Sequence, residues 1–217
     1  MADLALPPRF RVERALGAGS RAAWLVFDHE AGEARVLRPL APTARAGAQL
    51  LVGLRHPRLA AMLEVVVTPA GTFTVAEFAP GDAYADVVSR LDRAARLEVV
   101  LDVLRGLEPL HARGLAHGDV APSNVVVDAD GRARLVDPLV PGDAQAPLGT
   151  LQILAPERRL GAPPNPAADV FAVGALAYEA ALGRPAFAGR TALDVVRALE
   201  AGPPRIDGEE PLAAFLA

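Results

Sequence analysis

The first eighty residues alternate short apolar runs with turn residues, a pattern that predicts strands rather than long helices. Three strands are predicted at FRVERAL, AAWLVFD and EARVLRPL, the first two joined by the glycine-containing turn GAGSR. Pro39 is easiest to accept at an edge or a strand end, because proline donates no ladder hydrogen bond. LAAMLEVVVT and TFTVAEF predict a hairpin turning at Pro69, Ala70 and Gly71. Residues 43–54 suit a short helix, with Thr43 as a possible N-cap.

After FAPGDA the apolar period changes to steps of three and four, which predicts one buried face of a long helix. That face comprises Leu97, Val100, Leu101, Leu104, Leu107 and Leu110. A loop, GLAHGDVAPSN, then leads into a strand pair, VVV and RARLVD, that turns at Asp130-Gly131. Beyond a proline- and glycine-rich segment, residues 167–183 predict a helix that is apolar nearly all round. TALDVVRALEA predicts one more helix, and PLAAFLA the start of another.

Strands dominate the first part of the chain and helices the second. This order predicts an α+β fold in two lobes, with the boundary near Pro80-Gly81. The length of 217 residues is sufficient for one substantial domain or a two-lobed one.

Composition narrows the function classes. The net charge of −4 gives no basic field of the kind that attracts nucleic acid, so no nucleic-acid partner is expected. The chain has no cysteine, which excludes disulfides and thiolate metal sites. The longest apolar window, VFAVGALAYEAALG, contains Glu179 and is shorter than a membrane span. The start lacks the features of a signal peptide. We therefore expect a soluble, cytoplasmic chain without a membrane span.

All 22 basic residues are arginines, so no lysine is available for any catalytic role.

The segment HGDVAPSN and the later VDPL carry the candidate chemistry. Asp119 and Asn124 are five residues apart, and Asp137 follows eighteen residues after Asp119. Two carboxylates and an amide in this order are typical of a phosphotransferase that holds metal ions and a hydroxyl group. The same residue types also cap turns and bond loop backbone, so scaffolding alone could explain them.

Nine motifs in order extend this pattern along most of the chain: GAGSRA, RVLR, RHPRL, EFAPG, HGDVAPSN, VDPL, GTLQILAPE, DVFAVGALAYE and LGRPAF. The ordered set resembles the protein kinase family, specifically bacterial serine/threonine kinases with eukaryotic-like domains, from about residue 10 to about residue 205. Small-molecule phosphotransferases share the HGD, the asparagine and the later aspartate. APE at 155–157 and DVFAVG from residue 169 favour the protein kinases.

The resemblance implies one domain over residues 1–217, with an N-lobe at 10–80 and a C-lobe at 81–217. The closing helices of a full kinase domain are missing, so the chain is either a fragment or carries a reduced lobe. ATP and Mg²⁺ are the implied cofactors if any nucleotide binding is retained, and otherwise there are none. A protein is the implied partner or substrate.

The resemblance also assigns site residues. Asp119 corresponds to the catalytic aspartate, and Asn124 and Asp137 correspond to the metal ligands. The implied nucleotide contacts are Gly17, Gly19, Arg38, Glu77 and Val126. Asp169 matches the helix aspartate that holds the catalytic loop, and Glu157 matches the APE glutamate.

The largest departure from the family concerns its lysine–glutamate ion pair. Arg38 stands where the family has the lysine, and its planar fork does not reproduce a point ammonium charge. The partner glutamate should lie nine residues before His56, which is Gly47. No acidic residue occurs from 41 to 63, so a small register error does not restore the pair.

The glycine-rich loop also departs from the family. Ala22 replaces its third glycine, and the remaining GxG is more often just a hairpin turn. Trp24 stands where the family has the small valine that, with the residue at Val36, roofs the adenine. The tryptophan either adds bulk in the nucleotide site or rotates out onto the lobe surface.

The catalytic loop and the segment after it have lost further groups. Ala121 replaces the lysine that contacts the transferred phosphate, and Gly118 replaces the arginine that receives an activation-loop phosphate. Pro138 and Leu139 replace the phenylalanine and glycine that follow the metal-binding aspartate. Residues 138–149 contain no Ser, Thr or Tyr, and Thr150 fits a loop-supporting position.

These departures favour a pseudokinase: a regulatory or protein-binding module with weak or no ATP binding. The alternative is an active, atypical serine/threonine kinase that transfers the γ-phosphate of ATP to a protein hydroxyl, with an arginine in place of the lysine.

Overall fold

The structure is a computed structural model that describes residues 6–17, 22–143, 151–189 and 191–202. They form two compact units. The first lies within Met1–Ala79 and Leu139–Pro147, and the second within Pro80–Pro138 and Leu148–Ala217. The first unit is built on a five-stranded sheet and the second mainly on helices, which confirms the predicted α+β, two-lobed fold.

The strands of the described residues are β1 (Phe10–Gly17), β2 (Ala23–Asp28), β3 (Glu33–Leu40), β4 (Met62–Thr68), β5 (Gly71–Glu77), β6 (Asp82–Ala83), β7 (Val125–Val127) and β8 (Ala133–Leu135). The α-helices are α1 (Arg45–Leu51), α2 (Tyr84–Val87), α3 (Arg93–His111), α4 (Pro156–Arg159), α5 (Pro166–Leu182) and α6 (Ala192–Glu200). Short 3₁₀ turns occur at Pro42–Ala44, Val88–Arg90, Pro122–Asn124 and Leu151–Ile153.

The large sheet is antiparallel, with strand order β1-β2-β3-β5-β4. Alternating apolar residues give it one well-packed face, because successive side chains of a strand point to opposite sides. The buried cluster on this face consists of Phe10, Val26, Leu37, Phe73 and Val75.

One local expectation in this unit is confirmed and another needs correction. β3 lies between β2 and β5, so Pro39 is not on an edge strand, but it is the penultimate residue of β3 and therefore lies at a strand end as expected. Helix α1 begins at Arg45, and its N-cap residue, Ala44, makes no side-chain cap. Thr43 lies in the preceding 3₁₀ turn, which already carries the chain into the helix, so the predicted Thr43 cap is wrong.

Helix α3 provides the main apolar face of the second unit. It is capped by Asp92, whose side chain accepts a hydrogen bond from the Ala95 N–H at 2.8 Å. The predicted face is rotated, since Leu101 is 43% exposed. The buried apolar residues are Val99, Val100, Val103, Leu107 and Leu110. Asp102 is also buried, because its carboxylate accepts from the Ala133 N–H at 3.0 Å and pairs with Arg105.

Helix α5 packs against α3 and is buried along most of its length, as its apolar sequence predicts. The Asn165 side chain caps its start by accepting from the Ala168 N–H at 2.9 Å, and Gly183 ends it at φ 70°. Thr191 and Asp194 form a capping box at the start of α6. The predicted helix at 211–217 lies outside the described residues. No helix in the described part of the chain is long and apolar enough to cross a membrane.

Candidate active site

Asp169 anchors the loop that carries Asp119. The carboxylate lies in the first turn of α5 and is 2% exposed. It accepts hydrogen bonds from the backbone N–H groups of His117 at 2.7 Å and Gly118 at 2.8 Å. His111 Nε2, in the last turn of α3, lies 2.9 Å from the same carboxylate. One side chain thus joins α3, α5 and the candidate catalytic loop.

His117 ties the loop to the strand that leads into Asp137. Its Nε2 donates to the Val136 carbonyl at 3.0 Å, and its Nδ1 accepts from the Asp119 N–H at 3.4 Å. These bonds require the neutral ring with the proton on Nε2. Burial lowers the pKa of His117, outweighing the opposing effect of nearby carboxylates, chiefly Asp169. The neutral His117 ring therefore links the loop that carries Asp119 to the strand that leads into Asp137.

Asp119 and Asn124 are in direct contact. The Asn124 Nδ2 group donates at 2.8 Å to the Asp119 backbone carbonyl and at 2.8 Å to its carboxylate. The Pro122–Asn124 3₁₀ turn makes this possible, with the Asn124 N–H bonded to the Ala121 carbonyl at 2.9 Å. Both side chains are buried, with Asp119 7% and Asn124 5% exposed. Asp119 and Asn124, two of the three predicted catalytic residues, are therefore fixed in place by hydrogen bonds to one another.

Asp137 is joined to the same network through the backbone. The N–H of Val136, its neighbour, donates to the Asn124 carbonyl at 2.9 Å. Asp137 has φ 61°, and it is the one non-glycine residue with positive φ in the described parts of the chain. Such a conformation is uncommon for a residue with a side chain and persists where the surroundings determine it.

The donor chemistry of these three residues fits a hard divalent cation. Their carboxylate and amide oxygens are the ligands that Mg²⁺ prefers. In Asn124, the Nδ2 group makes both hydrogen bonds to Asp119, so the amide oxygen is the atom that would contact a cation. In the described ranges, no three His, Cys, Asp or Glu residues converge as a metal centre. Asn124 and Asp137 would accordingly supply a partial ligand set, of the kind that substrate phosphates and water complete.

Arg38 and Trp24 lie on opposite faces of the large sheet. Trp24 pairs with Leu37 across β2 and β3, and its ring packs edge-on against Phe73, with centroids 6.4 Å apart. Val36 and Arg38, the residues on either side of Leu37, point to the other face because strand side chains alternate. The residue paired with Val36 is Leu25. The expectation that Trp24 adds bulk beside Val36 is therefore wrong, and Leu25 takes that position.

The remaining predicted nucleotide contacts are distributed between the two units. Glu77 ends β5, where its carboxylate pairs with Arg55 at 3.2 Å and accepts from the Ala61 N–H at 3.2 Å. Gly17 is the last residue of β1, while Gly19 lies outside the described residues. Val126 is the central residue of β7 and is half-buried. Their predicted role toward a nucleotide stays a prediction.

Helix α1 carries no carboxylate. Its sequence is RAGAQLL, and Gly47 is buried on it. At the position where the family resemblance expects the glutamate, the chain therefore has a buried glycine that offers no carboxylate.

Sequence reasoning did not find His111 or Leu25. His111 is 58 residues from Asp169, and a histidine near a helix C-terminus is too common to indicate a partner. Leu25 was missed because counting from the glycine-rich turn assigns the position to Trp24. A one-residue difference in register exchanges the faces of a strand.

The two-lobed fold and the loop anchored on Asp169 define a protein-kinase domain, and comparison with known proteins agrees. Residues 35–202 match the family model described as the protein kinase domain, so the chain belongs to this family. The small-molecule phosphotransferase alternative is set aside.

Several curated bacterial proteins are similar to the chain. The serine/threonine-protein kinase PknA of Mycobacterium tuberculosis is 28% identical over 95% of this chain and 54% of its own length. The serine/threonine-protein kinases drp72 of Corynebacterium efficiens is 29% identical over 92% of the chain and 44% of its own length. The serine/threonine-protein kinase PkaB of Streptomyces coelicolor is 34% identical over 64% of the chain and 38% of its own length. The chain thus spans about half or less of the length of these relatives.

Proposed function

We propose that this protein-kinase domain is a pseudokinase, a regulatory module that binds a protein partner in the cytoplasm and has weak or no ATP binding. The observation that carries the proposal is Gly47 on α1. Gly47 stands where the family's ion-pair glutamate is expected, and residues 41–63 contain no acidic residue that could take its place.

The loss of this carboxylate matters because phosphoryl transfer depends on positioning. In the family, a lysine fixed by a glutamate orients the phosphates of ATP, and metal ions neutralise their charge. Arg38 retains the positive charge but has a wide planar head that binds in a different geometry. A small misplacement of the reacting groups costs on the order of a hundredfold in rate.

Three further replacements support the same conclusion. Ala121 is 2% exposed and carries no group that would stabilise charge on a transferred phosphate. Loss of one such electrostatic contact typically costs about 3–4 kcal/mol of transition-state stabilisation. Pro138 and Leu139 replace the phenylalanine and glycine that follow the aspartate in the family. The acid–amide network remains, while the groups that would aim a phosphate have been replaced.

The second candidate is an active, atypical serine/threonine kinase that uses ATP and Mg²⁺. Two observations favour it. Asn124 and Asp119 make the close contact described above, as a metal ligand beside a catalytic aspartate would. Trp24 also lies on the sheet face opposite Arg38, so its bulk does not obstruct the Arg38 face.

A thermal-shift titration with ATP and either Mg²⁺ or Mn²⁺, run beside a radiolabel transfer assay, separates the two candidates. We expect little or no shift and no transfer above the level of the Asp119→Asn variant. Robust transfer that Asp119→Asn abolishes would refute the pseudokinase and establish the active kinase. A metal-dependent ATP shift without transfer would place the loss at the chemical step, leaving a nucleotide-binding pseudokinase.

A further inference from the structure

A tight turn follows shortly after Asp137 and belongs to the first unit. The Asp143 N–H donates to the Val140 carbonyl at 3.0 Å, with Pro141 and Gly142 at the two central positions. Gly142 has φ 81°. Proline followed by a glycine with positive φ is the signature of a type II turn. The turn of residues 140–143 is called the Pro-Gly turn below.

The Pro141 carbonyl of this turn lies against the backbone of α1 at Gly47. A Cβ atom built on Gly47 would overlap the Pro141 carbonyl oxygen outright and lie 2.8 Å from its carbonyl carbon. The Pro141 Cβ would be 3.1 Å away. Two of these three atoms are backbone, so no side-chain rotation relieves the overlap. The space that a side chain at position 47 would occupy is filled by the Pro-Gly turn.

We propose that Gly47 is a docking slot for the Pro-Gly turn, and that this steric contact holds the segment after Asp137 on α1. The family resemblance expects a carboxylate at position 47, whereas here the absence of any side chain admits a backbone carbonyl. The glycine is thus required by the present arrangement. This inference goes beyond the proposed function, because it holds whether or not the domain transfers phosphate.

The slot also differs in kind from a phosphorylation-controlled contact. Residues 138–149 contain no Ser, Thr or Tyr, so no phosphate on them can dock or release the turn. The contact depends on shape alone. It is broken by a Cβ atom at position 47 or by loss of the turn's backbone conformation.

The slot predicts an unusual sign for a helix substitution. Gly→Ala inside a helix is ordinarily stabilising, because glycine loses more backbone entropy on folding. For a domain of this size the ordinary gain corresponds to a rise in Tm of about 2–4 °C. We expect Gly47→Ala to lower Tm instead and to accelerate amide exchange of the peptide that contains residues 139–143.

The test uses the whole chain and a double-mutant cycle. Gly142→Val should disrupt the turn itself, because a β-branched residue is strained at φ 81°. The substitution adds no steric overlap, since a Cβ atom at position 142 meets nothing within 4 Å. We expect Gly142→Val alone to accelerate the same amides. In the Gly142→Val background, Gly47→Ala should no longer lower Tm and should raise it by about 2–4 °C. Ala46→Gly, at an exposed position of the same helix, calibrates the ordinary propensity effect.

Two outcomes would overturn the docking slot. One is a Gly47→Ala protein with a higher Tm and unchanged exchange of residues 139–143. The other is an equal Tm loss from Gly47→Ala with and without Gly142→Val, which would mean that the turn is not what the new methyl group meets. Neither readout involves ATP, so the slot and the pseudokinase proposal stand or fall separately.

Discussion

The side chain of Asn124 donates to Asp119 twice, at 2.8 Å to its backbone carbonyl and at 2.8 Å to its carboxylate. Both residues are buried, so the two bonds replace water that neither group can reach. The pair therefore has a structural reason to persist even where no phosphate is transferred. Its presence alone does not decide between an active kinase and a pseudokinase.

Asn124→Asp tests this pair. The substitution replaces the NH₂ group, which donates both hydrogen bonds, by one acceptor oxygen and sets a second carboxylate beside Asp119. We expect a loss of about 2–3 kcal/mol in the free energy of unfolding at pH 7, measured by urea denaturation.

Ser123→Ala is the matched control, because Ser123 is exposed on the same turn and should tolerate the change. An Asn124→Asp protein as stable as the Ser123→Ala protein at pH 7 would contradict the buried contact.

Asp169→Ala should destabilise the second unit strongly. The substitution leaves the buried N–H group of His117 and the half-buried N–H group of Gly118 without their acceptor, and each unsatisfied group costs about 1–3 kcal/mol. We expect a total loss of roughly 2–5 kcal/mol in urea unfolding. Glu108→Ala removes an exposed carboxylate from the same unit and should change stability by less than about 0.5 kcal/mol. Similar losses for the two variants would argue against Asp169 as the loop anchor.

Trp24→Val restores the residue that the family has at this point of the sequence. Because the Trp24 ring packs on Phe73, away from the Arg38 face, we expect no new or larger thermal shift with ATP and Mg²⁺. The substitution should instead cost about 2 kcal/mol through lost packing in the cluster beside Leu37. Thermal melts with and without nucleotide measure both effects. A nucleotide response that appears only in Trp24→Val would place the ring in the nucleotide site after all.

Acid should weaken the fold through His117. Burial holds the pKa of this ring below its ordinary value of 6.5 in the folded protein, whereas the unfolded chain protonates near that value. The unfolded state therefore binds the extra proton first. The contribution of His117 to stability is complete above about pH 6.5 and is lost progressively as the pH falls below it.

Urea unfolding at pH 7.5, 6.5 and 5.5 measures this loss. His117→Gln should be less stable than the parent at pH 7.5 but should show a shallower decline, because the glutamine amide does not titrate. Parallel declines in the two proteins would exclude His117 as the group responsible.

Much of the fold could be predicted from apolar periodicity. The strands of the first unit, the hairpin between β4 and β5, and the long helices α3 and α5 all lie where the pattern places them. The errors arose where a polar group or a register shift decides orientation. Asp102 is buried by its bond to the Ala133 N–H, which rotates α3 so that Leu101 faces solvent. Periodicity gives no weight to such a bond.

The candidate site was likewise predictable from the sequence only in part. The spacing from Asp119 to Asn124 predicts two residues that the structure joins by hydrogen bonds, and Asp137 directly follows Val136, whose N–H donates to the Asn124 carbonyl. The exchange of Trp24 for Leu25 beside Val36 could not be predicted, because strand register depends on pairing along the whole hairpin. The filling of the space at Gly47 by Pro141 likewise depends on a turn 94 residues away, which no local pattern reveals.

The left-handed backbone at Asp137 has an energetic consequence. A residue with a side chain at φ 61° is held there at a cost of roughly 1–2 kcal/mol that glycine would avoid. Glycine at this position would remove that cost, so the interactions of the aspartate carboxylate must offset it for the residue to persist. The left-handed backbone thus marks a position at which a side chain outweighs local strain.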